Sequence, residues 1–242
     1  MGAGRASRGR VGVGAGVVVM SLLVAGCAAA VDPSRPEAAA TDRAAYDVDH
    51  HGPHPTGMVI DDGMEVWDLT IPPTTAAFGI DPDDTVMVGA YSSSTPGGRP
   101  VRFLLPGGEV VDVRANEVVF ELSEDDRAIT SRATGEELSP AGRFFDLRVD
   151  APAAQGAEAG VAAYRKALQE LGLPDDTVSE LQEQIEHAAS VDPLDSPRVG
   201  VSASLPKTDG FRFSVSTAFR PDRDDPTFLL EFHGAWDPLP LS

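Results

Sequence analysis

The chain has 242 residues, 19 of them basic and 38 acidic, for a formal net charge of −19. That length suits one ordinary core or two small ones, and so acidic a surface excludes nucleic acid and anionic headgroups as partners of the folded part. The single cysteine excludes an internal disulfide.

Along the chain, Arg5, Arg8 and Arg10 precede an uncharged run from Val11 to Gly26. A basic start, an apolar middle and small residues before a break are the parts of an export signal. At 16 residues the run is short of the roughly 20 needed to span a bilayer as a helix. It ends in Val24-Ala25-Gly26-Cys27. This motif resembles the lipobox of bacterial lipoproteins. The resemblance implies that Cys27 takes a lipid of palmitate type, that the chain is cut just before it, and that the protein sits on the extracytoplasmic face of the cell membrane. A lipidated Cys27 leaves no thiol for a thiolate metal site or a cysteine nucleophile. The excess of Arg over Lys, found only at Lys166 and Lys207, with abundant Ala, Gly, Asp and Pro, resembles proteins of high-GC bacteria such as actinobacteria.

Residues 27–56 show no periodicity and are expected to form a lipid-anchored flexible tether. This stretch contains Asp47-Val48-Asp49-His50-His51-Gly52-Pro53-His54, with three of the five histidines. Imidazoles and carboxylates suit zinc, copper or nickel, so His50, His51 and His54 are the candidate metal ligands. They lack an ordered spacing such as H-E-x-x-H, and the expectation is a solvated linker without a structural metal.

From residue 57 the pattern changes. Glu65–Ile71 places Trp67, Leu69 and Ile71 on one face before Pro72-Pro73. Further short strands are expected at Thr85–Val88, Val101–Leu105, Glu109–Arg114, Glu117–Leu122 and Arg143–Val149, with Pro106-Gly107-Gly108 as a hairpin turn. Ala157, Val161, Tyr164, Leu168 and Leu171 form one helical stripe, stopped by Gly172 and Pro174. Thr177 and Glu180 have the spacing of a capping box opening a second helix, with Val178, Leu181, Ile185 and Ala188 on its apolar side. Three strands follow. Val199–Leu205, Phe211–Phe219 and Phe228–Trp236 each alternate apolar with polar residues, as half-buried antiparallel strands do.

The expected fold is α+β, an antiparallel sheet with two short helices packed on one face and a β-rich N-terminal half. The expected organisation is a signal peptide at 1–26, the tether at 27–56 and an acidic domain at 57–242, with a division near 150 left open. Phe213 and Phe232 are expected on one buried face against Leu168 or Ile185, with Arg212 outside.

Local motifs name no chemistry for the domain. The acidic turns at Asp81–Asp84, Glu124–Asp126 and Asp222–Asp225 lack the ligand spacing of a calcium loop. Ser204-Leu205-Pro206-Lys207 matches S-x-x-K only on paper, because it lies at a strand end rather than opening a helix. No catalytic residue and no cofactor follow from the sequence. The functional expectation is a non-enzymatic, membrane-anchored module binding a protein or small-molecule ligand. The alternatives are an envelope hydrolase with carboxylates dispersed along the chain, and metal handling through the tether histidines.

Overall fold

The computed structural model describes residues 48–190, 199–219 and 226–241. The expected signal peptide, Cys27, the expected tether as far as Asp47 and the acids Asp222–Asp225 lie outside the described residues. In chain order the elements are β1 (Asp49–His51), β2 (Met58–Asp61), β3 (Met64–Asp68), α1 (Thr75–Phe78), β4 (Val88–Ser92), β5 (Arg99–Leu104), β6 (Val110–Ala115) and β7 (Glu117–Asp125). There follow β8 (Ile129–Thr130), β9 (Glu137–Ser139), β10 (Gly142–Asp150), β11 (Ala154–Gln155), α2 (Ala157–Glu170), α3 (Asp176–Ser190), β12 (Val199–Ser204), β13 (Phe211–Phe219) and β14 (Thr227–Trp236). The chain is α+β and rich in strand.

The larger sheet runs β1-β4-β7-β10-β14-β13-β12, with β11 added beside β14, and every pairing in it is antiparallel. The smaller sheet runs β2-β3-β5-β6, parallel only between β3 and β5. Strands from both halves of the chain share the larger sheet, because β10 pairs with β14. One row joins Gly89, Phe120, Leu147, Gly234 and Phe213, and the next joins Tyr91, Val118, Val149, Phe232 and Val215. With period-2 alternation these residues point one way and form the covered face.

Two layers cover that face. Over one part lies the smaller sheet with α1, where Trp67 packs on Tyr91 and Phe120, Phe78 stacks on Phe120, and Phe103 meets Phe213. Over the other lie the helices. Gly160 of α2 sits so close to Phe228 that a Cβ there would fall 2.2 Å from the ring. The α3 side chain of Gln184 accepts from the backbone N–H of Gly200, which shields the edge strand β12.

Phe213 and Phe232 are buried on one face and Arg212 is exposed, with Phe103, Phe211 and Phe232 as ring partners of Phe213. Two expectations need correction. Thr177 does not cap α3. It lies in the first turn and its hydroxyl meets the buried Tyr164 hydroxyl at 2.9 Å, so α2 and α3 are tied at their corner. Residues 85–87 precede β4 instead of forming it, with Met87 at φ 46°.

Folded structure also begins before residue 57, since β1 pairs with β4 at Asp49–Ser92, His50–Tyr91 and His51–Ala90. A three-residue edge strand is too short to carry a readable alternation. Among the described residues no helix is long and apolar enough to cross a membrane.

Candidate functional site

Among the described residues no layer packs on the face of the larger sheet opposite the core, and that face gathers polar residues from far apart in the chain. Reading across the register, one row holds Val88, Glu121, Asp146, Ala235 and Arg212. The next holds His51, Ala90, Val119, Arg148, His233, Ser214 and Ser204. A third holds Asp49, Ser92, Glu117, Asp150, Glu231, Ser216 and Ser202. None of these side chains is fully buried. The sequence positions them simply: Glu117 and Glu121 alternate with Val118 and Phe120, and Asp146 and Asp150 alternate with Leu147 and Val149.

Arg148 sits among the carboxylates, its Nη2 donating to Glu117 at 3.1 Å and its Nε 3.2 Å from Asp150. Burial pushes the Asp150 carboxyl above the ordinary carboxylate range. Arg148 opposes that shift, and Glu117 and Glu231 add to it. Asp146 is raised as well, first by burial and then by Glu121 directly across from it, with His233 pulling the other way. Carboxylates crowded in this way favour protonation or the approach of a cation. His233 Nε2 lies 3.3 Å from Ser216 Oγ and 3.4 Å from Glu231 Oε2.

The sequence-derived candidates fall elsewhere. Successive residues of β1 point to opposite faces, so His50 and His51 diverge. His50 stacks against Tyr91 with ring centroids 6.1 Å apart, and His51 Nε2 lies 2.9 Å from Asp84. His54 Nδ1 is 3.0 Å from the carbonyl of its neighbour Pro55. The structure therefore does not bring the three imidazoles together. Among the described residues no group of three His, Cys, Asp or Glu side chains converges to hold a metal. Asp84 is held below the ordinary carboxylate range by the Val86 N–H and by His51. Lys207 is paired with Asp237, away from any partnership with Ser204.

One charged pair lies inside. Glu65 and Arg99 are 1% and 6% exposed, between the two sheets. Arg99 Nε donates to Glu65 at 2.6 Å, Nη2 to the Tyr91 carbonyl at 2.8 Å and Nη1 to the Asn116 carbonyl at 3.1 Å. Trp67 Nε1 also donates to Glu65. Asn116 is the corner where the chain leaves the smaller sheet for the larger, its own N–H donating to the Asp150 carbonyl at 2.8 Å. The pair fastens one sheet to the other. Burial, with Glu65 adding to it, raises the Tyr91 hydroxyl, which donates to the Phe78 carbonyl at 3.0 Å.

A groove of about 400 Å³ separates the start of α2 from the second half of α3. Val161 and Ile185 contribute apolar surface, while Glu158, Arg165 and Glu186 line it with charge.

Sequence reasoning missed both the charged face and the internal pair, although strand parity carried the signal for each. Glu65 shares the parity of Trp67 and Leu69, and Arg99 that of Val101 and Phe103. In comparisons with known proteins, no family model, no curated protein and no solved structure matches this chain.

Proposed function

We propose that this is a membrane-anchored extracytoplasmic lipoprotein, held by lipid on Cys27, whose domain binds a positively charged ligand or protein segment on the open face of the larger sheet. The observation that carries the reading is the crowding of Glu121 with Asp146, and of Glu117 with Asp150, across neighbouring strands. Ionised carboxylates set side by side repel one another, and a cation lying between them relieves that repulsion. Arg148 neutralises part of the cluster and leaves an acidic excess.

The hydrolase reading draws on the same carboxylates and on the Ser216–His233 contact. It is the weaker one, because the face is open to water and a reacting centre needs exclusion of solvent. Glu231 also approaches the same imidazole nitrogen as Ser216, where a triad places its acid on the other nitrogen.

The anchor is tested by metabolic labelling with a palmitate analogue: the wild type is labelled and Cys27→Ser is not. The face is tested with a fluorescent oligo-arginine peptide. Glu121→Gln with Asp146→Asn and Asp150→Asn should abolish salt-sensitive binding that the wild type shows. Equal binding by both forms, or none by either, sinks the assignment of this face.

A further inference from the structure

We infer that the ligand of the open face is a dipolar peptide segment, whose cationic group meets Glu121 and Asp146 while a carboxylate further along it meets Arg212. The inference rests on the assignment of this face to a cationic ligand and adds the second charge. One register row of the larger sheet reads Glu121, Asp146, Ala235, Arg212 from β7 to β13. Its charges are sorted, with two carboxylates at one end, a guanidinium at the other and only the methyl group of Ala235 between. Strands about 4.8 Å apart put the backbone of Arg212 roughly 10 Å from Asp146 and roughly 14 Å from Glu121.

Arg212 is exposed and, among the described residues, makes no ion pair or hydrogen bond. The other cations around it are engaged: Arg148 with Glu117 and Asp150, and Lys207 with Asp237, the acid two residues beyond Ala235. A guanidinium left unpaired on a chain with 38 acidic and 19 basic residues is available to an incoming anion. Its surroundings suit an oxyanion. Ser214 follows it on the same face of β13, and Ser204 and His233 stand across from Ser214 on the two neighbouring strands. Hydroxyls and an imidazole can donate beside the guanidinium fork, whose planar geometry matches a carboxylate. A plain anion would be repelled by Glu121 and Asp146, and a polycation laid along the row would set its second charge against Arg212. A segment carrying both signs satisfies the two ends at once, and such complementarity fixes direction more than it adds affinity. Three or four extended residues, at about 3.3–3.6 Å each, cover the span.

The test titrates the full chain in neutral detergent micelles with acetyl-arginyl-triglycine, bearing either a free C-terminal carboxylate or an amide. Binding is read from backbone amide chemical shifts in β7, β10 and β13. The chain's net charge of −19 acting alone would make the amide bind more tightly, since it has no negative group. The free acid should instead bind about two- to fivefold more tightly, the range of a solvated ion pair. Arg212→Gln should reverse the order, while Glu121→Gln with Asp146→Asn should weaken both peptides. Circular dichroism should report native folds for these variants, whose substituted side chains are all exposed. A wild type that prefers the amide, or a preference for the acid that survives Arg212→Gln, would overturn the inference. If neither short peptide binds but oligo-arginine does, the face takes a plain cation and the dipolar inference alone fails. If oligo-arginine does not bind either, the assignment of the face fails with it.

Discussion

The two sheets distribute charge in opposite directions. The larger sheet keeps Phe, Val, Leu and Trp inside and sends Glu117, Glu121, Asp146, Arg148, Asp150 and Glu231 outward. The smaller sheet buries Glu65 and Arg99 and sends Val59, Val66, Leu104 and Val110 outward. Alternation is intact in both, so the difference lies in which side chains the alternation is filled with. In the larger sheet the inside is mainly apolar, with Thr217 and the Tyr91 hydroxyl buried among it, and the outside is free for chemistry. In the smaller sheet the internal pair adds direction: Arg99 reaches the Tyr91 and Asn116 carbonyls and fixes how one sheet sits on the other.

The strongest test of this inversion removes one member of the internal pair. Arg99→Met should cost about 3–5 kcal/mol, because it leaves the Glu65 carboxylate buried against Trp67 without its guanidinium. Adding Glu65→Leu should recover much of that loss, since a buried ion pair is often replaceable by apolar volume. Chemical denaturation of the two variants measures both steps. A second variant no more stable than the first would mean that the pair's links to the carbonyls matter more than its charge balance.

On the covered face of the larger sheet, Phe213→Ala should cost about 3–5 kcal/mol through the cavity left among Phe103, Phe211 and Phe232. Its neighbour Arg212→Ala, on the open face, should stay within about 0.5 kcal/mol. Equal losses for the two would contradict the register. On the outer face of the smaller sheet, Arg102→Ala should cost only about 0.2–1 kcal/mol despite its two-pronged contact with Asp112, because both side chains are solvated. Thermal unfolding in low and high salt should show this small effect shrinking as salt rises.

Local patterning made much of this readable and stopped at a definable point. The alternation in Phe211–Phe219 and Phe228–Trp236 and the helical stripe from Ala157 to Leu171 each arise within one element, and each was legible. The open-face cluster depends on β10 lying between β7 and β14. That pairing joins Asp146 to Glu121 on one side and to Ala235 on the other. Register between distant strands is set by the packed whole, so the carboxylates could be read as outward-facing but not as neighbours. The histidines show the reverse case: adjacent in sequence and alike in chemistry, they separate because a strand sends successive residues to opposite faces.

The smallest expected effect concerns the crowded carboxylates of the open face, and its sign distinguishes this face from the other. Asp146 has a folded pKa raised above its ordinary value of 3.8, mainly by burial and then by Glu121. Its contribution to stability is therefore fully present below that ordinary value and is lost as pH rises through the raised one. At neutral pH the ionised Asp146 is a small liability, and Asp146→Asn should remove it, stabilising the protein by no more than about 0.5 kcal/mol after solvent screening. Asp112 on the smaller sheet is lowered, chiefly by the hydrogen bond from Arg102, so its contribution is present above 3.8 and is lost as pH falls through its lowered value. Asp112→Asn should accordingly destabilise at neutral pH. Denaturation midpoints of the two variants between acid and neutral pH should thus move in opposite directions relative to wild type. If both substitutions destabilise at neutral pH, the open-face carboxylates are not in mutual conflict, and they have no cause to attract a cation.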